Sequence, residues 1–154
     1  MDTNESRDRL TTMRLGFRVD RATAALPAST TGSLFLITGG PVEVTLLIGE
    51  VTTIMQDSDP QLSVTSRATT GTAVVLNSTA DLTSLEVGGF IRVNGQGGAL
   101  ILSNAGAVLS SAYPSSFVVP IGNIAAITQA TKTGSVKWTL YYHPLAEGAI
   151  VTAA

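Results

Sequence analysis

The sequence predicts an all-β fold, an antiparallel β-sandwich or barrel with an extended N-terminal arm. Short runs rich in β-branched and aromatic residues recur along the chain, and Gly, Pro, Asn, Asp and Ser clusters separate many of them. No segment has the apolar stripe of an amphipathic helix; the best candidate, residues 78–85, has room for a turn or two. The charge distribution supplies the arm. Five of the nine basic residues, Arg7, Arg9, Arg14, Arg18 and Arg21, fall in the first 21 positions, interleaved with Asp2, Glu5, Asp8 and Asp20.

The arm is read as residues 1–30 and the β domain as 31–154, with Pro27-Ala28-Ser29-Thr30-Thr31-Gly32 as the link. Within the arm, Met13, Leu15, Phe17 and Val19 alternate with Arg14, Gly16, Arg18 and Asp20, the period of a strand. Residues 33–38 and then Val42, Val44, Leu46 and Ile48 flank Gly39-Gly40-Pro41, which predicts a hairpin. Further strands are expected over 50–55, 61–67, 72–76, 85–93, 99–103, 117–119, 123–128, 135–142 and 149–152. Turns are expected at 57–60, 77–79, 94–98, 131–134 and 143–144. Along 135–142, Val136, Trp138, Leu140 and Tyr142 point one way while Lys137, Thr139 and Tyr141 point the other. Pro144 ends that strand as a ladder donor, and 145–148 turn the chain into a second strand of the same hairpin. Trp138, Leu140 and Tyr142 are therefore candidates for either a core anchor or a subunit contact.

Composition narrows the chemistry. Cysteine is absent and His143 is the single histidine, so thiolate metal sites, thiol nucleophiles and any pair of imidazoles from one chain are excluded. There is no Gly-x-Ser-x-Gly elbow, and Gly95-Gln96-Gly97-Gly98 lacks the lysine and helix of a phosphate loop, which leaves a flexible hairpin tip. The acids Glu43, Glu50 and Glu147 would have to face one cleft to serve a glycan hydrolase. Asp57 and Asp59 before Pro60 read as a turn rather than as calcium ligands. No catalytic, cofactor or metal residue is assigned, and the chain is read as no enzyme.

The charged fraction is 13%, against roughly 25% in an average soluble protein. No charged side chain occurs between Arg92 and Lys132. Surfaces this neutral are expected where protein faces protein, because charge is depleted at interface cores. A merely soluble, Thr-rich domain has the same composition. A net charge of −2 gives nucleic acid no basic footprint. No apolar run spans a membrane, and the polar N-terminus is no secretory leader, so synthesis in a cytoplasm is expected. In the arm, acids nearly balance the arginines, a mixture suited to ion pairing with another protein.

Two passages, Gly32-Ser33-Leu34-Phe35-Leu36-Ile37-Thr38-Gly39-Gly40-Pro41-Val42-Glu43-Val44 with residues 47–53, and residues 133–142 with 144–149, resemble small structural proteins of tailed bacteriophages. They cover about a quarter of the 154 residues. The resemblance implies a virion protein, of which a β-rich chain with an N-terminal arm looks most like a capsid decoration, or cement, protein. It implies a homotrimer on the outside of the head, the major capsid protein as partner, and Arg7, Arg9, Arg14, Phe17 and Arg18 as the arm's contacts with shell or neighbour. The alternative is a tail fibre or baseplate module in which Trp138, Tyr141 and Tyr142 stack on sugars.

Overall fold

The computed structural model describes residues 3–55, 60–83, 85–106, 116–129 and 134–154. One helix, α1 (Thr3–Leu15), precedes eleven strands: β1 (Phe17–Ala25), β2 (Thr31–Thr38), β3 (Val42–Thr53), β4 (Gln61–Ala68), β5 (Val74–Asp81), β6 (Phe90–Val93), β7 (Ile101–Ser103), β8 (Phe117–Val119), β9 (Gly122–Thr128), β10 (Ser135–Pro144) and β11 (Ile150–Ala153). They form two antiparallel sheets. The larger runs β1-β10-β3-β6-β7 with β8 also on β3, and the smaller runs β11-β2-β9-β4-β5. This is the all-β sandwich that the sequence predicts.

The core fills the space between the sheets. Val42, Val44, Leu47, Ile91, Val136, Trp138 and Leu140 of the larger sheet share one buried cluster with Leu34, Phe35, Ile37, Leu62, Val64 and Ile124 of the smaller. Along β10 the alternation is as predicted: Val136, Trp138, Leu140 and Tyr142 are buried, and Lys137, Thr139 and Tyr141 are not. Trp138 is the largest fully buried side chain, and Gly49 lies opposite it on β3. A Cβ on Gly49 would stand 2.8 Å from Val136 Cγ1 and 2.9 Å from Trp138 Cζ3. The glycine is the hole into which the indole fits.

The arm is not extended. Its first half is α1 and its second half is β1, an edge strand paired with β10 from Phe17↔Tyr142 to Ala25↔Ser135. The predicted alternation holds only from Phe17 onward; Met13 and Leu15 are helical. The helix carries no apolar stripe, and Leu10 and Met13 are 66% and 78% exposed, so periodicity had nothing to detect. It is held by its own ladder, by Glu5 in the first turn and Arg14 in the last, and by its end. At that end Gly16 takes φ +89° and donates its N–H to Thr12 O at 2.9 Å, a left-handed stop. A Cβ there would lie 2.0 Å from Tyr142 O. Only glycine lets the chain leave the helix this close to β10.

Two predicted hairpins are arches. β2 and β3 lie in different sheets, as do β10 and β11, so the turns at 39–41 and 145–148 carry the chain across the sandwich. Gly-Gly-Pro turn chemistry serves either connection, and long-range pairing decides. Among the described residues, consecutive strands pair only as β4–β5 and β6–β7.

The face expected along β3 changes phase. Val42 and Val44 point inward, but Leu47 and Val51 follow them, leaving Leu46 and Ile48 less buried. The cause is a bulge at Thr45, where Tyr141 pairs with Leu46 while Tyr142 pairs with Val44. The Thr45 hydroxyl donates to the carbonyls of Leu15 and Tyr141, tying the helix end to the bulge.

Other boundaries moved for local reasons. The segment 50–55 is mostly the end of β3, and the strand expected over 85–93 is only β6 because Gly88 and Gly89 turn back on Val51 and Glu86. The turn expected at 77–79 lies inside β5, which starts at Val74 rather than 72. Asn77 is fully buried there. Its amide donates to Asn94 Oδ1 at 2.7 Å and Gly98 O at 2.9 Å, and its carbonyl accepts from Asn94 N at 3.0 Å and Gly95 N at 3.2 Å. Gly97 N also donates to Leu76 O at 2.7 Å. The glycine-rich tip is thus bound to β5 at several points rather than flexible. The expected turn at 57–60, apart from Pro60, and most of 131–134 lie outside the described residues.

Two outcomes test this packing by denaturant unfolding. Gly49→Ala should cost about 1–3 kcal/mol, the range for overfilling a packed core, while Gly98→Ala, with open space around its Cβ, should be nearly neutral. Asn77→Ala should cost about 2 kcal/mol, because the amide groups it satisfies are left without partners, and should speed protease cleavage at 94–98.

Candidate interaction surface

The residues assigned to the arm's contacts occupy one corner of the molecule. Arg7, Arg9 and Arg14 are on α1 and all exposed; Arg7, Leu10 and Arg14 follow helical spacing and share a face. Phe17 and Arg18 begin β1. Phe17 is 55% exposed and meets Tyr142 at 5.8 Å between ring centroids. Arg18 is also exposed, and its Nε lies 2.9 Å from Asp20 Oδ2 on the same strand. It is therefore engaged within the chain, whereas no hydrogen bond or ion pair holds the side chains of Arg7, Arg9 or Arg14 among the described residues. Trp138, Leu140 and Tyr142 are core residues, 0%, 0% and 5% exposed.

Asp20 joins Arg18 to β10. Partial burial pushes its carboxyl up, but the hydrogen bond from Thr139 (2.8 Å), the one from Arg18 and the guanidinium charge outweigh it and hold the pKa below the usual range. Arg18 is shifted up, chiefly by its hydrogen bond to Asp20. A second pair, Lys137 Nζ to Glu50 Oε2 at 3.6 Å, lies beside it. Arg18, Lys137 and Glu50, with Ile48, Phe90, Thr139 and Tyr141, line a shallow 260 Å³ depression on the outer face of the larger sheet.

The other outer face has a different character. The five strands of the smaller sheet contain two charged residues, Arg67 and Asp81. The strands of the larger sheet contain Arg18, Asp20, Arg21, Glu43, Glu50, Arg92 and Lys137. On the smaller sheet, Leu36, Thr38, Arg67, Thr69, Ile121 and Asn123 line a 350 Å³ groove, mostly apolar, in which Arg67 is the only charge among the described residues. Gly122, at φ +149°, lies so close to Arg67 O that a Cβ would overlap it, and both Thr69 N and Thr69 Oγ1 donate to Ile121 O at 2.9 Å. The groove is built on fixed backbone. Sequence reasoning missed it because its walls come from β2, β4 and the start of β9; the one available signal was a solitary arginine in a charge-poor region.

The acids considered for catalysis are dispersed. Glu43 accepts from Ser116 Oγ at 2.6 Å and lies opposite His143 across β3 and β10, Glu50 pairs with Lys137, and Glu147 is on the 145–148 turn. Among the described residues, no three His, Cys, Asp or Glu side chains come together in a way that could hold a metal ion. Asp57 and Asp59 lie outside the described residues. No helix of the described residues is long and apolar enough to cross a membrane.

The Asp20 shift has a sign. A carboxyl depressed in the folded state adds stability above its unfolded pKa and loses it as pH falls through the folded value. Unfolding midpoints should therefore decline below about pH 4, and Asp20→Asn should flatten that decline; the effect is small because the pair is half exposed. Compared with known proteins, the chain matches no family model, no curated protein and no solved structure.

Proposed function

We propose that this chain is a non-enzymatic structural protein that binds the outside of a tailed-bacteriophage head and stabilises it, as a homotrimer contacting the major capsid protein. The observation that carries this reading is the charge asymmetry of the sandwich: one whole sheet, with Arg67 and Asp81 as its charges, presents a neutral face. A free surface normally mixes both signs to stay dissolved, and a neutral one is suited to cover by protein. The resemblance of residues 32–44 with 47–53, and of 133–142 with 144–149, to phage structural proteins is what suggests the particle. The exposed α1, with Arg7, Arg9 and Arg14 beside Leu10 and Met13, supplies a mixed ionic and apolar contact for the shell. Bound copies would act mechanically, bridging shell subunits against internal pressure with no chemical step.

The tail reading relied on three aromatic rings stacking on sugars. Trp138 and Tyr142 are buried, leaving Tyr141 half-buried on the outer face, so the head reading is better supported.

Purified protein mixed with undecorated, expanded phage shells should sediment with them, and deletion of residues 2–15 should abolish most of that binding. A parent protein that stays in the supernatant counts against the head reading. A truncated protein that pellets fully removes α1 from the contact.

A further inference from the structure

The groove on the smaller sheet lacks two things that an occupant would bring: an apolar side chain for its Leu36 and Ile121 walls, and an anion for Arg67. Among the described residues Arg67 has no hydrogen bond or ion pair through its side chain. The chain itself displays that combination at the β10–β11 arch. Leu145 is 52% exposed and Glu147, two residues on, is exposed with no side-chain partner among the described residues. We propose that copies of this chain associate head to tail, with the Leu145 and Glu147 corner of one copy seated in the Arg67 groove of the next.

The corner is preorganised for this role. Leu145 N donates to Pro41 O and Ala149 N to Ala146 O, both at 3.1 Å. Ala146 packs so tightly on Gly40 that a Cβ there would come within 2.6 Å, and Gly39 backs directly onto Gly148 O. The 145–148 arch is thus clamped against the 39–41 arch, and little entropy is lost when it docks. Groove and corner also lie at one end of the sandwich, since Thr38 lines the groove and Gly39 adjoins the corner. They are different surfaces, so the contact is heterologous, and repetition by rotation closes a ring such as a trimer. The inference deepens the reading of a self-associating structural protein and rests on it.

Charge exchange tests it. Sedimentation velocity across a concentration series should show the parent as a closed oligomer. Arg67→Glu and Glu147→Arg should each weaken association by about tenfold or more, as like charges are brought together. The double variant Arg67→Glu/Glu147→Arg should regain it, a recovery that damage to the fold would not give. Glu86→Arg, at another exposed carboxylate, beside the exposed Val87, is the control and should assemble as the parent does. Circular dichroism melts confirm that each variant is folded. Single variants that assemble like the parent, or a double variant that does not recover, overturn the contact. Shell sedimentation separates the two readings. A parent that pellets with shells yet stays monomeric alone overturns the contact and leaves head binding standing. A parent that assembles and responds to charge exchange but never pellets upholds the contact and overturns head binding.

Discussion

The fold depends on one strand holding its place between two others. β10 is hydrogen-bonded to β1 on one side and to β3 on the other, and its inner face carries Val136, Trp138, Leu140 and Tyr142 into the core. Trp138 is fully buried over Gly49, and its indole N–H finds no acceptor among the described residues. The ring is therefore held by shape and apolar contact alone, with an unsatisfied donor as a standing cost. Both sides of the molecule are built from that placement. β1 reaches the sheet only through β10, and the end of α1 is located by β10 and β3, with Gly16 against Tyr142 and Leu15 O on the Thr45 hydroxyl.

Most connections cross between the sheets, so few strands can pair with the neighbour that follows them in sequence. The chain must close long loops before its contacts stabilise it, which raises contact order and slows folding relative to a meander of hairpins. The same arrangement makes the product tight. Arches at 39–41 and 145–148 pack on one another, and Leu26 N and Gly134 O bind where β1 leaves and β10 enters. Ser29, the one described non-glycine residue with positive φ (48°), sits in the link from β1 to β2, where the backbone must turn sharply to change sheets.

How much of this is legible in the residues depends on how local each cause is. The alternation of β10 is written in seven consecutive side chains and was read correctly, inward and outward faces included. The helix was missed because Leu10 and Met13 face solvent, and a helix without a buried stripe has no periodic signature. The turn at 77–79 was a misreading of composition: Asn77-Ser78-Thr79 looks like a turn until Asn94 and the 98–99 carbonyls arrive to satisfy the buried amide. The phase change at Thr45 and the arches at 39–41 and 145–148 are decided by partners a hundred residues away. The interaction surface divides similarly. The arm's arginines were found from their density, whereas the Arg67 groove exists only when three distant segments meet.

Charge placement links fold to function. On the larger sheet Arg18 meets Asp20 and Lys137 meets Glu50, so these outer charges are neutralised in pairs and remain hydrated. On the smaller sheet neutrality comes from omission, with Thr, Ser, Asn and aliphatic residues in place of charges. The two ways of being neutral differ in what they permit. Removing water from a charged pair costs desolvation that an imperfect partner does not return, whereas covering Leu36, Ile121 and hydroxyl-bearing side chains costs little and gains apolar burial. A sheet of the second kind can be covered by many protein surfaces with modest affinity. The solitary Arg67 then supplies direction, because only a partner bringing a carboxylate to that point leaves no unpaired charge behind.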